Sequence, residues 1–173
     1  MKWKEIPCLD EQVYVKLPED WIRPSGETVA IKFPYRQKPQ EIFADPDTYH
    51  IITLNILGKA LQERQTYPAI LEIQRLISHM YPESIRENSR LLRTESGMAG
   101  YFSFITGGLE CDSCHYMFVL PIRGKMMLGS SHFPKDRTEE ERQIFFEVLK
   151  SIKTGEEVEE GKSDRHGENG IRR

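Results

Sequence analysis

The chain has 173 residues, 38% hydrophobic and 29% charged, with a formal net charge of −3. That size suits a single domain that buries its core without disulfide staples, and the lack of a basic excess argues against nucleic acid or an anionic membrane as partner. No apolar run near the N-terminus reaches signal-peptide length and none approaches a membrane span, so the sequence predicts a cytoplasmic protein whose cysteines, Cys8, Cys111 and Cys114, are reduced thiols.

Gln12 to Leu17 alternates, with Val13, Val15 and Leu17 on one side; this is the period of a half-buried strand. Pro18 stops it, and Trp21 is expected to plug one end of the core. After the turn residues Ser25-Gly26, Val29, Ile31 and Phe33 stand in phase and predict a second strand over Thr28–Phe33. A loop from Pro34 leads to a third, β-branched strand over His50–Leu57, with His50 read as an exposed end residue.

A helix is predicted from Tyr67 to Met80, with Thr66 as its N-cap and an apolar stripe of Ile70, Ile73, Leu76, Ile77 and Met80. Asn88–Thr94 and Met98–Thr106 read as strands around Gly97. Tyr116–Ile122 and Met126–Phe133 read as a hairpin turning at Arg123-Gly124-Lys125. Thr138-Glu139-Glu140-Glu141 has the form of a capping box, and Ile144, Phe145, Val148, Leu149 and Ile152 give the closing helix its apolar face. The order βββ-α-ββββ-α predicts an α+β domain over residues 1–153, with an antiparallel β-sheet of about six or seven strands and two main helices. Residues 154–173 are charged and lack apolar periodicity, which predicts a disordered tail.

Four of these features carry a resemblance to a known superfamily. They are Val13-Tyr14-Val15-Lys16-Leu17-Pro18 leading to Trp21, the strand entry Gly97-Met98-Ala99-Gly100-Tyr101, the hairpin Tyr116–Phe133, and the closing helix ending Leu149-Lys150-Ser151-Ile152-Lys153. Together they resemble the PsbP-like superfamily, which includes the photosystem II subunit PsbP, the small Ran-binding nuclear-import factor and many bacterial domains without assigned function. The resemblance implies one PsbP-like domain, mostly non-catalytic in its relatives, which act as assembly factors, GTPase-binding proteins, chaperones or lipoprotein domains. It supplies no catalytic motif to carry across.

The one compact chemical motif is Cys111-Asp112-Ser113-Cys114-His115. Its spacing fits c-type haem attachment, a zinc site using Cys111, Cys114 and His115, or a redox pair. The structural alternative is a turn at Asp112-Ser113 flanked by two small thiols. A strand follows the motif, so the helix that haem attachment and thiol activation both need is missing, and zinc would require a further ligand from Cys8, His50 or His132. The sequence therefore predicts a non-enzymatic protein-binding domain with no cofactor, an unidentified protein as partner, and a metal- or redox-responsive protein as the alternative. The segments 34–43 and 55–65 are the first choice for the contact surface.

Overall fold

The predicted hairpin forms, over residues 113–134, at the centre of a seven-stranded sheet. The computed structural model describes residues 1–155. Its strands are β1 (Trp3–Cys8), β2 (Val13–Pro18), β3 (Glu41–Ala44), β4 (Ile51–Ala60), β5 (Ile85–Arg86), β6 (Arg90–Thr94), β7 (Gly97–Thr106), β8 (Ser113–Ile122), β9 (Lys125–Pro134) and β10 (Lys153–Thr154). The helices are α1 (Gly26–Lys32), α2 (Thr66–Met80) and α3 (Thr138–Ser151). The large sheet runs β3-β4-β9-β8-β7, and β5 and β6 both pair along the far edge of β7; a second sheet has the order β1-β2-β10. Every pairing is antiparallel. The α+β class, the central hairpin and the two long helices are as the sequence predicts.

The β8–β9 hairpin turns on two residues, Arg123 and Gly124, with φ of 50° and 77°. Two left-handed residues match the twist of the flanking strands, and Gly takes the second position without strain. Further along, Gly129 faces Phe118 across the ladder. A Cβ on Gly129 would lie 2.1 Å from the Phe118 ring, so the missing side chain makes the space that the ring fills.

The two faces of the large sheet are covered differently. Tyr116, Phe118 and Leu120 of β8 and Phe133 of β9 point to the face covered by α3 and the small sheet, where they join Val13, Val15, Leu17, Phe145, Val148 and Leu149 in the main core. On the other face, α2 lays Ile70 and Ile77 over Phe102, Phe104 and Val119, and α1 lays Val29 and Phe33 over Ile42, Ala44 and Ile51. Trp21 is buried in the main core, as expected.

Several expectations are corrected. Residues 28–32 form part of helix α1 instead of a strand, and Phe33 is the helix's C-cap residue. Ser25 caps it by accepting a hydrogen bond from the Thr28 amide at 3.2 Å, so Val29 and Phe33 share a face at i, i+4 while Ile31 turns to solvent. Thr66 is the first residue of α2 and not its cap; its hydroxyl is buried with no hydrogen-bond partner. Leu76 and Met80 belong to the predicted stripe but are 58% and 66% exposed. Thr138 likewise lies inside α3, with Arg137 at the N-cap position. Thr154 pairs with Val13, and the Gly155 amide donates to the Gln12 carbonyl, so strand pairing extends past the predicted domain end; the rest of the predicted tail, 156–173, lies outside the described residues.

Candidate functional site

Strand β8 decides where the cysteine motif goes. Cys111 is exposed in the loop before the strand. Cys114 is buried on the α3 face among the main core residues, where burial, with Glu87 adding to it and Arg142 opposing it, pushes its thiol up to about 11. The pleat sends the next residue to the opposite face. There His115 stacks on Phe104 with ring centroids 4.6 Å apart, and its Nε2 lies 2.8 Å from the Thr106 hydroxyl. Cys114 and His115 therefore do not share a point. Among the described residues, no three or more His, Cys, Asp or Glu side chains are grouped to hold a metal ion. Cys8 is buried at the end of β1, and burial pushes its thiol up to about 12.

His50 is fully buried, not an exposed strand end. Its ring packs edge-on against Trp21 and Phe133. Its Nδ1 lies 2.6 Å from Glu141 Oε2, and its Nε2 lies 2.6 Å from Ser131 Oγ. The order hydroxyl–imidazole–carboxylate is that of a hydrolase relay. Here Ser131 is also fully buried, so no substrate reaches its oxygen in this conformation. The trio instead ties α3 to β4 and β9 across the core. The sequence held one signal for it: Glu141 sits four residues before Phe145, in line with the apolar face of α3, and a carboxylate in that stripe needs a buried partner.

The open surface lies on the α1/α2 face. Residues 113–118 of β8 alternate half-buried and buried, and residues 128–133 of β9 do the same. The half-buried positions, Met117, Leu128, Ser130 and His132, all point between the two helices. The side chains behind them are sealed on the α3 face. The α1/α2 face is thus a trough with a partly solvated floor.

One end of the trough is closed by rings. Phe33 of α1 meets His132 at 6.3 Å, His132 lies 5.9 Å from His115, His115 stacks on Phe104, and Phe104 stacks on Tyr81 at 5.8 Å. These five rings run from α1 to the end of α2. Burial pushes both histidines down to about 4, His132 with a smaller contribution from His115, so both are neutral at pH 7. The wall on the α2 side is apolar. Gln74 donates to the Glu87 carbonyl and accepts from Ser89 at the β5–β6 margin, which places Leu76 and Met80 on the opposite, trough-facing flank by helical geometry. Of the segments singled out from the sequence, Tyr35 is exposed in the loop after α1, whereas Ile42, Phe43 and Leu61 are buried. The trough floor was not among them.

No protein-family model matches the sequence, and no curated protein matches it. Solved structures do match. The cyanobacterial PsbP (CyanoP) of Synechocystis superposes with a TM-score of 0.60 at 13% identity, over 88% of this chain and 92% of that one. The Saccharomyces cerevisiae Ran-binding protein Mog1p gives 0.56 at 10% identity, over 89% and 96%. LpqN of Mycobacterium tuberculosis, involved in cell envelope biogenesis, gives 0.53 at 11% identity, over 90% and 91%. The chain thus has the fold shared by PsbP and Mog1p, as the opening strand, the hairpin and the closing helix suggested.

Proposed function

We propose that this chain is a non-enzymatic binding domain, an adaptor, chaperone or assembly factor, and that it holds an apolar segment of another protein in the trough between α1 and α2. The observation that carries this reading is the half-buried floor of β8 and β9 beside exposed Leu76 and Met80. An apolar surface that is contiguous and left open is where binding energy is available. Mog1p, which has the same fold, is a Ran-binding protein, so the fold is compatible with protein recognition.

Affinity capture from the native cell extract tests the proposal, with the wild-type chain beside Leu76→Asp/Met80→Asp. Both side chains are exposed, so the double variant should keep its melting temperature. It should lose the protein that the wild type retains. Equal recovery by both baits, with both folded, would remove the trough from the contact surface.

A further inference from the structure

A second concave region lies on the opposite side of the sheet, where the first half of α3 passes over β7 and β8. Two cavities of about 310 and 290 Å³ open there and share Glu87, Ser103, Tyr116 and Arg142 as walls. Each is at the small end of the range for metabolite sites. Their lining is of two kinds. Tyr101 and Phe146 supply ring surface in the first cavity, and Ile85 and Ile105 supply apolar surface in the second. The charged side chains are Arg90, Lys135 and Arg142 against the single carboxylate of Glu87.

The cations are only partly committed. The Arg142 guanidinium lies beside the Tyr116 phenol and 3.6 Å from Glu139, a long contact at an exposed carboxylate and worth little. The side chains of Arg90 and Lys135 have no ion pair among the described residues. A groove with ring walls, an excess of cations and a tyrosine hydroxyl beside an arginine has the complement of a ligand that joins an apolar body to a carboxylate.

We infer that this groove is a binding site for a small amphipathic carboxylate, with its acid group among Arg90, Arg142 and Lys135 and its apolar body against Tyr101, Phe146 and Ile105. The site is on the other face from the trough and does not depend on the protein-binding proposal. The same chemistry is offered by a free aryl- or alkyl-carboxylic acid and by the C-terminal carboxylate of a peptide ending in an apolar residue.

The test is an amide and side-chain NMR titration of the full chain with 4-phenylbutyrate, its uncharged amide, and a short peptide ending in phenylalanine with a free or amidated C-terminus. Saturable shifts at Tyr101, Tyr116 and Arg142 with the acid and not the amide support the site. Binding of the free-ended peptide over its amidated form assigns the carboxylate to a chain end, and its failure beside bound phenylbutyrate assigns it to a small molecule. Arg90→Gln and Arg142→Gln should each weaken binding about tenfold. Glu87→Gln should tighten it about threefold, a gain that damage to the fold would not produce. Equal binding of acid and amide, shifts elsewhere, or no saturable binding of any of the four probes would overturn the inference.

Discussion

Replacing Glu141 with leucine isolates the His50 network. The carboxylate contacts His50 Nδ1 at 2.6 Å, and His50 and Ser131 have no exposed surface. With leucine at 141, the imidazole N–H points into the core with nothing to accept it. The loss is a hydrogen bond to a charged group together with the desolvation of the N–H left behind, about 3 kcal/mol in all. For a chain of this size that corresponds to about 6 to 12 °C in Tm. The triple variant His50→Phe/Ser131→Ala/Glu141→Leu removes every partner at once and keeps a ring between Trp21 and Phe133, so it should fall within about 1 kcal/mol of wild type, because an apolar replacement leaves no polar group unpaired. Urea unfolding at pH 7, followed by circular dichroism, measures both. If the single variant costs under about 1 kcal/mol, or the triple variant is as damaged as the summed singles, the trio is not the buried tie described above.

Three further outcomes follow from side-chain environments. Thr66→Val should raise stability by about 1 kcal/mol, because the Thr66 hydroxyl is buried unpaired; calorimetry reads the change in Tm. Alkylation of the native protein should modify Cys111 first and leave Cys8 and Cys114 intact, since their thiols are buried and raised to about 12 and 11; chelator should change neither the order nor the native mass, whereas a bound zinc would slow Cys111 and appear in the mass. His115 and His132 are lowered from 6.5 to about 4, so the unfolded chain holds more protons between those values. The stability the pair contributes is complete above pH 6.5 and is lost as pH falls toward 4, and His115→Gln/His132→Gln should flatten the upper part of that loss in urea melts between pH 6.5 and 5.

The elements that could be read from the sequence are those whose period is unambiguous. The β8–β9 hairpin sets two apolar runs on either side of the turn residues Arg123-Gly124-Lys125, and α2 and α3 carry apolar positions at helical spacing, so the sequence predicts all three in their order. The segment of α1 has the pattern of a strand because Val29, Ile31 and Phe33 satisfy i, i+2 while Val29 and Phe33 also satisfy i, i+4; only the Ser25–Thr28 cap separates the two, and it lies outside the apolar run. Strands β5 and β10 have two residues each, too few for any period. The trough was not legible for a different reason. Met117 and Leu128 look like any core residue in the sequence, and their partial exposure depends on which strands α1 and α2 leave uncovered. The cysteine motif drew attention by its spelling, but the pleat at Cys114–His115 divides it between two faces.

The most direct test of the protein-binding account is site-specific photo-cross-linking in the native cell, with a benzophenone side chain at position 76 and, as control, at exposed Gln143 on the outer surface of α3. The account predicts one discrete protein adduct from position 76 that is absent from position 143. The same adduct from both positions, or none from position 76 while the chain is folded and expressed, would contradict it.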